Sequence, residues 1–260
     1  MKKKRITAAL LALGLSAVTI CSQLPVFAAE ETAQATDTAA QPQTADPSVV
    51  TTNGIDGWPQ ASDISSTAAI VMETSTNTVL YSKNADQALY PASAVKVMTC
   101  LVALENSSLD DQVTMTATGV SGVTDGGANI SSQLDEVFTM EQCLYAIMVA
   151  SANDIALQVA EHVGGSVDAF VQTMNTRAQE LGCTNTVFTN PTGLPDENQH
   201  ITAHDMALIM EAAMANETFR TIAATTSYTL PATNVSGGER VLTNSFTMIN
   251  NASDGYYEPC

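Results

Sequence analysis

The chain has 260 residues, of which 45% are hydrophobic, and it carries a formal net charge of −18 at pH 7. This length and hydrophobic content suffice for the buried core of one large or two small domains, which excludes a wholly disordered chain. Its strong negative charge would repel phosphate backbones, so we expect no nucleic-acid partner.

The first 28 residues have the pattern of a signal peptide. Basic residues 2–5 precede an apolar stretch over residues 6–20, and the sequence up to Ala28 and Ala29 has the small-residue pattern of a cleavage site. We therefore expect export and a mature chain that begins near Ala29. Loss of four basic and no acidic residues would change the formal charge from −18 to −22. A retained membrane anchor is the alternative, but the apolar stretch is short for a span of about 20 residues.

Residues 29–62 are rich in Thr, Ala, Gln, Asp and Pro and have no apolar periodicity. This composition predicts a disordered, low-complexity linker. We expect the folded domain to occupy residues 63–260. Its first elements, near residues 68–72 and 78–81, are short apolar or β-branched runs around a polar turn, which is typical of a β-hairpin.

A helix is predicted over residues 93–105, and its apolar side chains are spread too widely for one stripe, so it should be largely buried. Further elements follow: a Gly-rich surface loop at 119–127, a helix opened by a capping box at 139–142, helices from about 154 to 162, 166 to 181 and 202 to 215, and a second hairpin at 228–230 and 240–242. Cys100 and Cys143 lie in apolar helical runs, where a buried thiol is expected, with a catalytic cysteine as the alternative.

Ser93 and Lys96 are three residues apart, so they share one face of the predicted helix. Burial beside apolar residues such as Val95 and Met98 would penalise the ammonium form and favour a neutral amine. A neutral amine can take the proton of a serine hydroxyl and thereby activate it as a nucleophile. The alternative is a helix-capping serine and a lysine that extends into solvent.

A second polar motif, Ser151-Ala152-Asn153, interrupts two predicted helices 58 residues after Ser93. Such a break can project a hydroxyl and an amide from one turn. The hydroxyl could pass a proton to a leaving amine, and the amide could hold a substrate backbone and orient Lys96. An ordinary interhelical turn with a capping side chain is the alternative.

With these two motifs, the chain resembles the serine D-alanyl-D-alanine carboxypeptidases, the low-molecular-mass penicillin-binding proteins. The resemblance runs from about Thr67 to Asn250. It rests on ordered matches at residues 79–84, 91–93, 96–99, 151–154, 170–175, 181–186, 190–194 and 202–207. It implies an α/β (α+β) fold of the β-lactamase/transpeptidase type, with a helical cluster and an N-terminal β-hairpin.

The resemblance implies a role for each motif residue. Ser93 would attack the carbonyl between the last two D-alanines of a peptidoglycan stem peptide and form an acyl-enzyme, with Lys96 as its general base. Ser151 would return the proton to the departing D-alanine, and Asn153 would position the substrate and Lys96. The family needs no metal or organic cofactor, is inhibited covalently by β-lactams, and acts after export, at the outer face of the membrane, in the cell wall or in the periplasm.

The family's third motif, Lys-Thr-Gly or a close variant, has no counterpart, because no lysine follows Lys96. The resemblance places its strand shortly after Cys260. We therefore expect that residues 63–260 form an incomplete domain without the C-terminal strands of the sheet. Loss of one oxyanion donor alone lowers the rate by about 10²–10³-fold, so low activity of this chain is expected. Peripheral membrane association is expected only if a C-terminal segment is missing.

Three other functions are open from the sequence. A β-lactamase of the same fold would need an efficient deacylating base, and no Glu-x-x-Leu-Asn follows Ser151. A non-catalytic cell-wall-binding homologue would keep the pocket but lack the third motif. A Ser-His-Asp triad is compatible with the spacing of the three histidines, although His162 ends a predicted helix, where a cation suits the dipole.

Overall fold

A computed structural model describes residues 55–57, 64–122, 127–246 and 249. These residues belong to one compact unit. The predicted signal peptide lies outside the described residues, as do the chain end at Cys260 and all of the predicted linker except residues 55–57. None of the described helices has the length and apolar character needed to cross a membrane.

The two predicted hairpins are both present. Strands β1 (Ala69–Glu73) and β2 (Thr78–Lys83) pair antiparallel, with a bulge that follows Val71. The last two strands of the described chain, Ser227–Leu230 and Arg240–Thr243, pair in the same way. β-branched residues bounded by turn residues thus form the strands that their pattern predicts.

A third two-stranded sheet was absent from the sequence predictions. It joins β3 (Gln112–Thr114) to β4 (Val137–Thr139), so the strands of the second hairpin are β5 and β6. Each of these two strands has only three residues, and they are far apart in sequence. Neither gives the alternating run that predicts a strand.

Seven α-helices lie within the described residues. They are α1 (Val95–Asn106), α2 (Ala117–Ser121), α3 (Met140–Ala150), α4 (Asn153–Gly164), α5 (Val167–Glu180), α6 (Ala203–Ala215) and α7 (Glu217–Ala223). Helix α1 is central, because it packs against α3, α4, α5, α6 and α7. Its first nine residues are all buried, which confirms the predicted burial of this helix.

Helix α2 corrects one prediction. The predicted surface loop over residues 119–127 is wrong at its start, because Gly119 is buried within α2. A Cβ at this position would lie 2.9 Å from the carbonyl oxygen of Asp154 and 2.4 Å from the side chain of Met115. Glycine is therefore needed for close packing of α2 on α4, not for a turn. Residues 123–126 lie outside the described residues.

Capping interactions set the helix that precedes the second motif. The hydroxyl of Thr139 accepts a hydrogen bond from the Gln142 backbone N–H at 3.2 Å, and the Gln142 side chain accepts from the Thr139 N–H at 2.9 Å. This reciprocal pair is the predicted capping box. It fixes the start of α3, and α3 carries the chain to Ser151.

Candidate active site

Ser93 lies at the entrance to α1. The chain enters this helix through a 3-10 turn, Ala92–Ala94, so α1 begins two residues later than predicted. The reason is local: Ala92 has a φ of 47°, which a regular α-helix does not accommodate. Even so, the Nζ atom of Lys96 lies 3.3 Å from the Oγ atom of Ser93. The predicted proximity of these two side chains is confirmed.

Lys96 is only 3% exposed, so the alternative of a lysine that extends into solvent is wrong. Burial lowers its pKa to about 8. Since the ordinary pKa of lysine is near 10.4, this shift raises the neutral fraction at pH 7 to about a tenth. Its Nζ atom also donates a hydrogen bond of 2.5 Å to the carbonyl oxygen of Thr192. The amine is thus buried, oriented and partly neutral.

Ser151 joins the same cluster. It ends α3 in the left-handed conformation, with a φ of 55°, and its hydroxyl donates a hydrogen bond of 3.0 Å to the Oγ atom of Ser93. This conformation ends α3 and places the Ser151 side chain next to Ser93, just before the start of α1. Ser93 Oγ has a hydroxyl on one side and the amine of Lys96 on the other.

Asn153 is the first residue of α4 and is 5% exposed. Its backbone N–H donates to the carbonyl of Ala128 at 2.8 Å, while its side-chain oxygen has no hydrogen-bond partner among the described residues. The hydrogen bonds that Lys96 Nζ makes within that part of the chain go to Ser93 and Thr192, not to Asn153. The predicted orientation of Lys96 by Asn153 therefore stays a prediction.

The loop over residues 190–194 is the part of the site that sequence reasoning did not assign. Gly193 has a φ of 84°, and a Cβ there would lie 1.9 Å from the carbonyl oxygen of Ala92 and 2.9 Å from the backbone nitrogen of Ser93. The hydroxyl of Thr99 donates a 2.7 Å hydrogen bond to the carbonyl of Pro191. Only glycine fits where the loop contacts the turn that carries Ser93. The Pro-Thr-Gly sequence of this loop, which is typical of a tight turn, is the signal by which the sequence could have indicated this contact.

An apolar cavity lies beside this contact, lined by Tyr90, Pro91, Leu194, Pro195 and other residues of the two loops. In the part of the chain that the structure describes, no group of three or more His, Cys, Asp or Glu side chains could hold a metal ion.

Cys100 and Cys143 are buried and unpaired, as predicted, and burial raises the pKa of both thiols. Such thiols are poor nucleophiles.

The sequence was compared with known families and curated proteins. Residues 56–256 match the family model described as D-alanyl-D-alanine carboxypeptidase. The chain is 37% identical over 155 residues to a D-alanyl-D-alanine carboxypeptidase of Bacillus subtilis, a match that covers 58% of this chain and 39% of the relative. It is 35% identical over 180 residues to one of Mycobacterium tuberculosis, covering 67% of this chain and 58% of the relative. The chain thus spans about two fifths to three fifths of these relatives' length.

Solved structures of the same kind resemble the fold of this chain. A Streptomyces DD-transpeptidase matches with a TM-score of 0.69 and 28% identity, covering 74% of this chain and 78% of that chain. A D-alanyl-D-alanine carboxypeptidase of Mycobacterium tuberculosis matches with a TM-score of 0.68 and 31% identity, covering 75% and 72%. These matches confirm the predicted transpeptidase-like α/β fold. Together with the family match over most of its residues, they show that the chain belongs to the D-alanyl-D-alanine carboxypeptidase family.

Proposed function

We propose that this protein is a serine-type D-Ala-D-Ala carboxypeptidase, which removes the terminal D-alanine from peptidoglycan stem peptides through an acyl-enzyme on Ser93. The observation that carries the proposal is the buried Lys96 amine, 3.3 Å from the Ser93 hydroxyl. Family membership supports the substrate class. The ordinary pKa of a serine hydroxyl makes it a weak nucleophile, so an adjacent base is the group that this chemistry needs.

The proposed reaction uses the hydroxyl groups of Ser93 and Ser151 and the amine of Lys96. Neutral Lys96 accepts the Ser93 proton while Oγ attacks the carbonyl carbon of the penultimate D-alanine, and an oxyanion forms. The proton then passes through the Ser151 hydroxyl, 3.0 Å from Oγ, to the nitrogen of the leaving D-alanine. The C–N bond breaks and free D-alanine departs. Water next attacks the ester while the neutral Lys96 amine accepts one of its protons, and this proton passes to Ser93 Oγ as the ester bond breaks, so that the serine is restored and the shortened peptide leaves.

Asn153 is proposed to bind the substrate backbone. Its side-chain oxygen is an acceptor without a partner among the described residues. A buried acceptor without a hydrogen bond costs about 1–3 kcal/mol. Because this oxygen is shielded from solvent, a peptide N–H of the bound stem peptide would reach it after a local shift of the surrounding residues and would then offset that cost.

The location and the inhibitors belong to the same proposal. A peptidoglycan substrate lies outside the cytoplasmic membrane, so the function requires export, for which the pattern over residues 1–28 is the predicted signal. A β-lactam offers Ser93 a strained amide in place of the peptide bond. Its acyl-enzyme would resemble that of the substrate, so we expect a covalent adduct on Ser93.

The test is labelling of the full chain with a fluorescent penicillin, followed by mass mapping of the modified peptide. We expect the adduct on Ser93 and none in Ser93→Ala, whereas a chain altered at an exposed serine, Ser121→Ala, should label like the parent. Incubation over hours allows even slow acylation to be detected. An adduct elsewhere, or equal labelling of Ser93→Ala, would refute the assignment.

Product analysis separates the other functions. Release of D-alanine from a D-Ala-D-Ala peptide, together with a long-lived penicillin adduct, supports the carboxypeptidase. Rapid release of hydrolysed penicillin would instead identify a β-lactamase. Binding of stem peptides without D-alanine release or any adduct would identify a non-catalytic wall-binding protein.

A further inference from the structure

The side chain of Asn190 organises the loop that contacts Lys96. Its carbonyl oxygen Oδ1 accepts three hydrogen bonds: from the Thr192 backbone N–H at 3.1 Å, the Thr192 hydroxyl at 2.8 Å and the Gly193 N–H at 2.8 Å. Its amide nitrogen donates to the carbonyl of Leu194 at 3.0 Å. One side chain thus replaces the backbone hydrogen bonds that a turn of four residues would otherwise make, as Asn side chains do in Asx turns.

The turn delivers two consecutive carbonyl groups to α1. The carbonyl of Pro191 accepts from the Thr99 hydroxyl, and that of Thr192 accepts from Lys96 Nζ. Lys96 and Thr99 are three residues apart on the same face of α1, so the two contacts act as a pair. The direction of the Thr192 carbonyl depends on the turn conformation, and the turn conformation depends on Asn190.

We propose that Asn190 is a positioning residue for the general base, because it holds the Thr192 carbonyl against the Lys96 amine and so sets the direction of the amine toward Ser93. The inference rests on the proposed function. It assigns a role to a residue that lies 97 positions from Ser93 in the sequence. A neutral amine has two N–H bonds and one lone pair. When one N–H is donated to the Thr192 carbonyl, the remaining positions of the nitrogen are restricted, and the lone pair can face the Ser93 hydroxyl.

The surroundings of Lys96 make this contact measurable. The nearest titratable neighbour on α1 is Cys100, one turn beyond Lys96, and burial raises the pKa of that thiol, so it stays uncharged near pH 8. Among the ion pairs of the described residues, none joins Lys96 to a carboxylate on the helices or the loop packed against α1. Within the described residues, Lys96 Nζ donates to the Thr192 carbonyl at 2.5 Å and to the Ser93 hydroxyl at 3.3 Å, so the Thr192 carbonyl is the closer acceptor.

Two substitutions should move the Lys96 pKa in opposite directions. Asn190→Ala removes the acceptor that organises the turn, the Thr192 carbonyl leaves Nζ, and the Lys96 pKa falls by at least about half a unit. Asn190→Asp keeps an acceptor oxygen for the same three donors, loses the single bond to the Leu194 carbonyl and adds a negative charge to the turn that contacts Lys96, so the Lys96 pKa rises. A loss of folding alone would not produce opposite shifts.

The experiment is an NMR titration of full-length protein with 13C-labelled lysine, which reads the amine directly and needs no activity. The full chain contains five lysines, of which only Lys83 and Lys96 lie beyond residue 29, and the signal that is lost in Lys96→Arg is that of Lys96. The matched control is Asn216→Ala, which removes an Asn that accepts a backbone N–H at the start of α7, away from the site. We expect the parent midpoint in this control, a lower midpoint in Asn190→Ala and a higher one in Asn190→Asp.

Kinetics then connect the position of the amine to reactivity. Acylation by the fluorescent penicillin should fall by about tenfold or more in Asn190→Ala and stay within about threefold of the parent in Asn190→Asp above its raised pKa. An Asn190→Ala midpoint equal to or above that of the parent overturns the inference. Absence of penicillin labelling in the parent, with the expected NMR shifts, would refute the proposed function but not the role of Asn190.

Discussion

The two sides of the site are prepared in different ways. On the side of α1, the Lys96 amine is already bonded to a backbone carbonyl and lies beside Ser93. On the side of α4, the Asn153 side chain is equally buried, but its oxygen has no partner among the described residues. On the α1 side the polar groups form hydrogen bonds within the protein, whereas on the α4 side one hydrogen-bond acceptor has no partner among the described residues.

This difference separates two tasks. A base must be held in a fixed direction before the substrate arrives, because misplacement of a reacting group by about 1 Å can cost 10²-fold in rate. A binding group gains most when its hydrogen bond forms only with the substrate, since the unsatisfied acceptor is then relieved. Mutations on the α1 side should therefore act on chemistry and fold, and mutations on the α4 side on binding.

The largest expected effect is on the base itself. Lys96→Met keeps the length and apolar character of the side chain but removes the amine, so the rate of acylation at Ser93 should fall by about 10²–10⁴-fold. The measurement is the rate of adduct formation with fluorescent penicillin. Lys83→Met, which removes a lysine from β2, is the control and should react like the parent. A loss of less than about fivefold in Lys96→Met would contradict the assignment of the base.

The next effect concerns the contact between the two loops. Gly193→Ala would place a Cβ 1.9 Å from the Ala92 carbonyl oxygen, so we expect the free energy of unfolding to fall by about 3 kcal/mol in urea titrations. Gly182→Ala is the matched control, because Gly182 has a similar φ of 87° but its nearest neighbour lies 4.0 Å away. This control should lose only about 1 kcal/mol. Equal losses would show that the close approach at Ala92 is relieved.

The third effect is on the pH dependence of acylation. Below the Lys96 pKa of about 8 the amine is protonated and cannot accept a proton, so the rate should fall by about tenfold per pH unit and level off above pH 8. A profile that keeps rising to pH 10 would indicate a solvent-exposed lysine.

The pH dependence of stability gives an independent test of the lowered Lys96 pKa. The pKa is lower in the folded state than in the unfolded chain, so between about pH 8 and 10.5 the unfolded state binds a proton that the folded state does not. Lys96 therefore makes the protein more stable as pH rises through that window. Lys96→Met, in which this group is absent, should lose the corresponding slope in unfolding measurements.

The smallest effect is expected on the α4 side. Asn153→Ala removes one hydrogen-bond acceptor for the substrate, so kcat/KM for a D-Ala-D-Ala peptide, or the rate of acylation, should fall by about tenfold. The NMR midpoint of Lys96 and the free energy of unfolding should stay close to those of the parent. A displaced Lys96 midpoint would instead place Asn153 on the side of the base, as the family resemblance predicted.

Local signals predicted the parts of the site that lie near each other in sequence. The spacing of Ser93 and Lys96, the capping box at the start of α3 and the polar break at Ser151 each depend on a few neighbouring residues, and all three are present. The spread of apolar residues around the predicted helix also predicted the burial that lowers the Lys96 pKa. These features follow from side-chain chemistry and helix geometry alone.

Contacts between distant segments were not predictable in the same way. The carbonyl that binds Lys96 belongs to a residue 96 positions away, and its side chain carries no information about the backbone contact. The β3–β4 pair likewise depends on tertiary packing of two three-residue strands. Gly119 was interpreted as a loop residue because a sequence does not distinguish a glycine that turns from one that lets two helices approach.

The buried thiol of Cys100, one turn beyond Lys96 on α1, has a further consequence. Because it is 1% exposed and burial raises its pKa, an alkylating reagent can reach it only when α1 separates from its neighbours. Its modification rate therefore reports how often the helix that carries the base separates from its neighbours. Penicillin bound at the start of that helix should lower the rate at which Cys100 is modified.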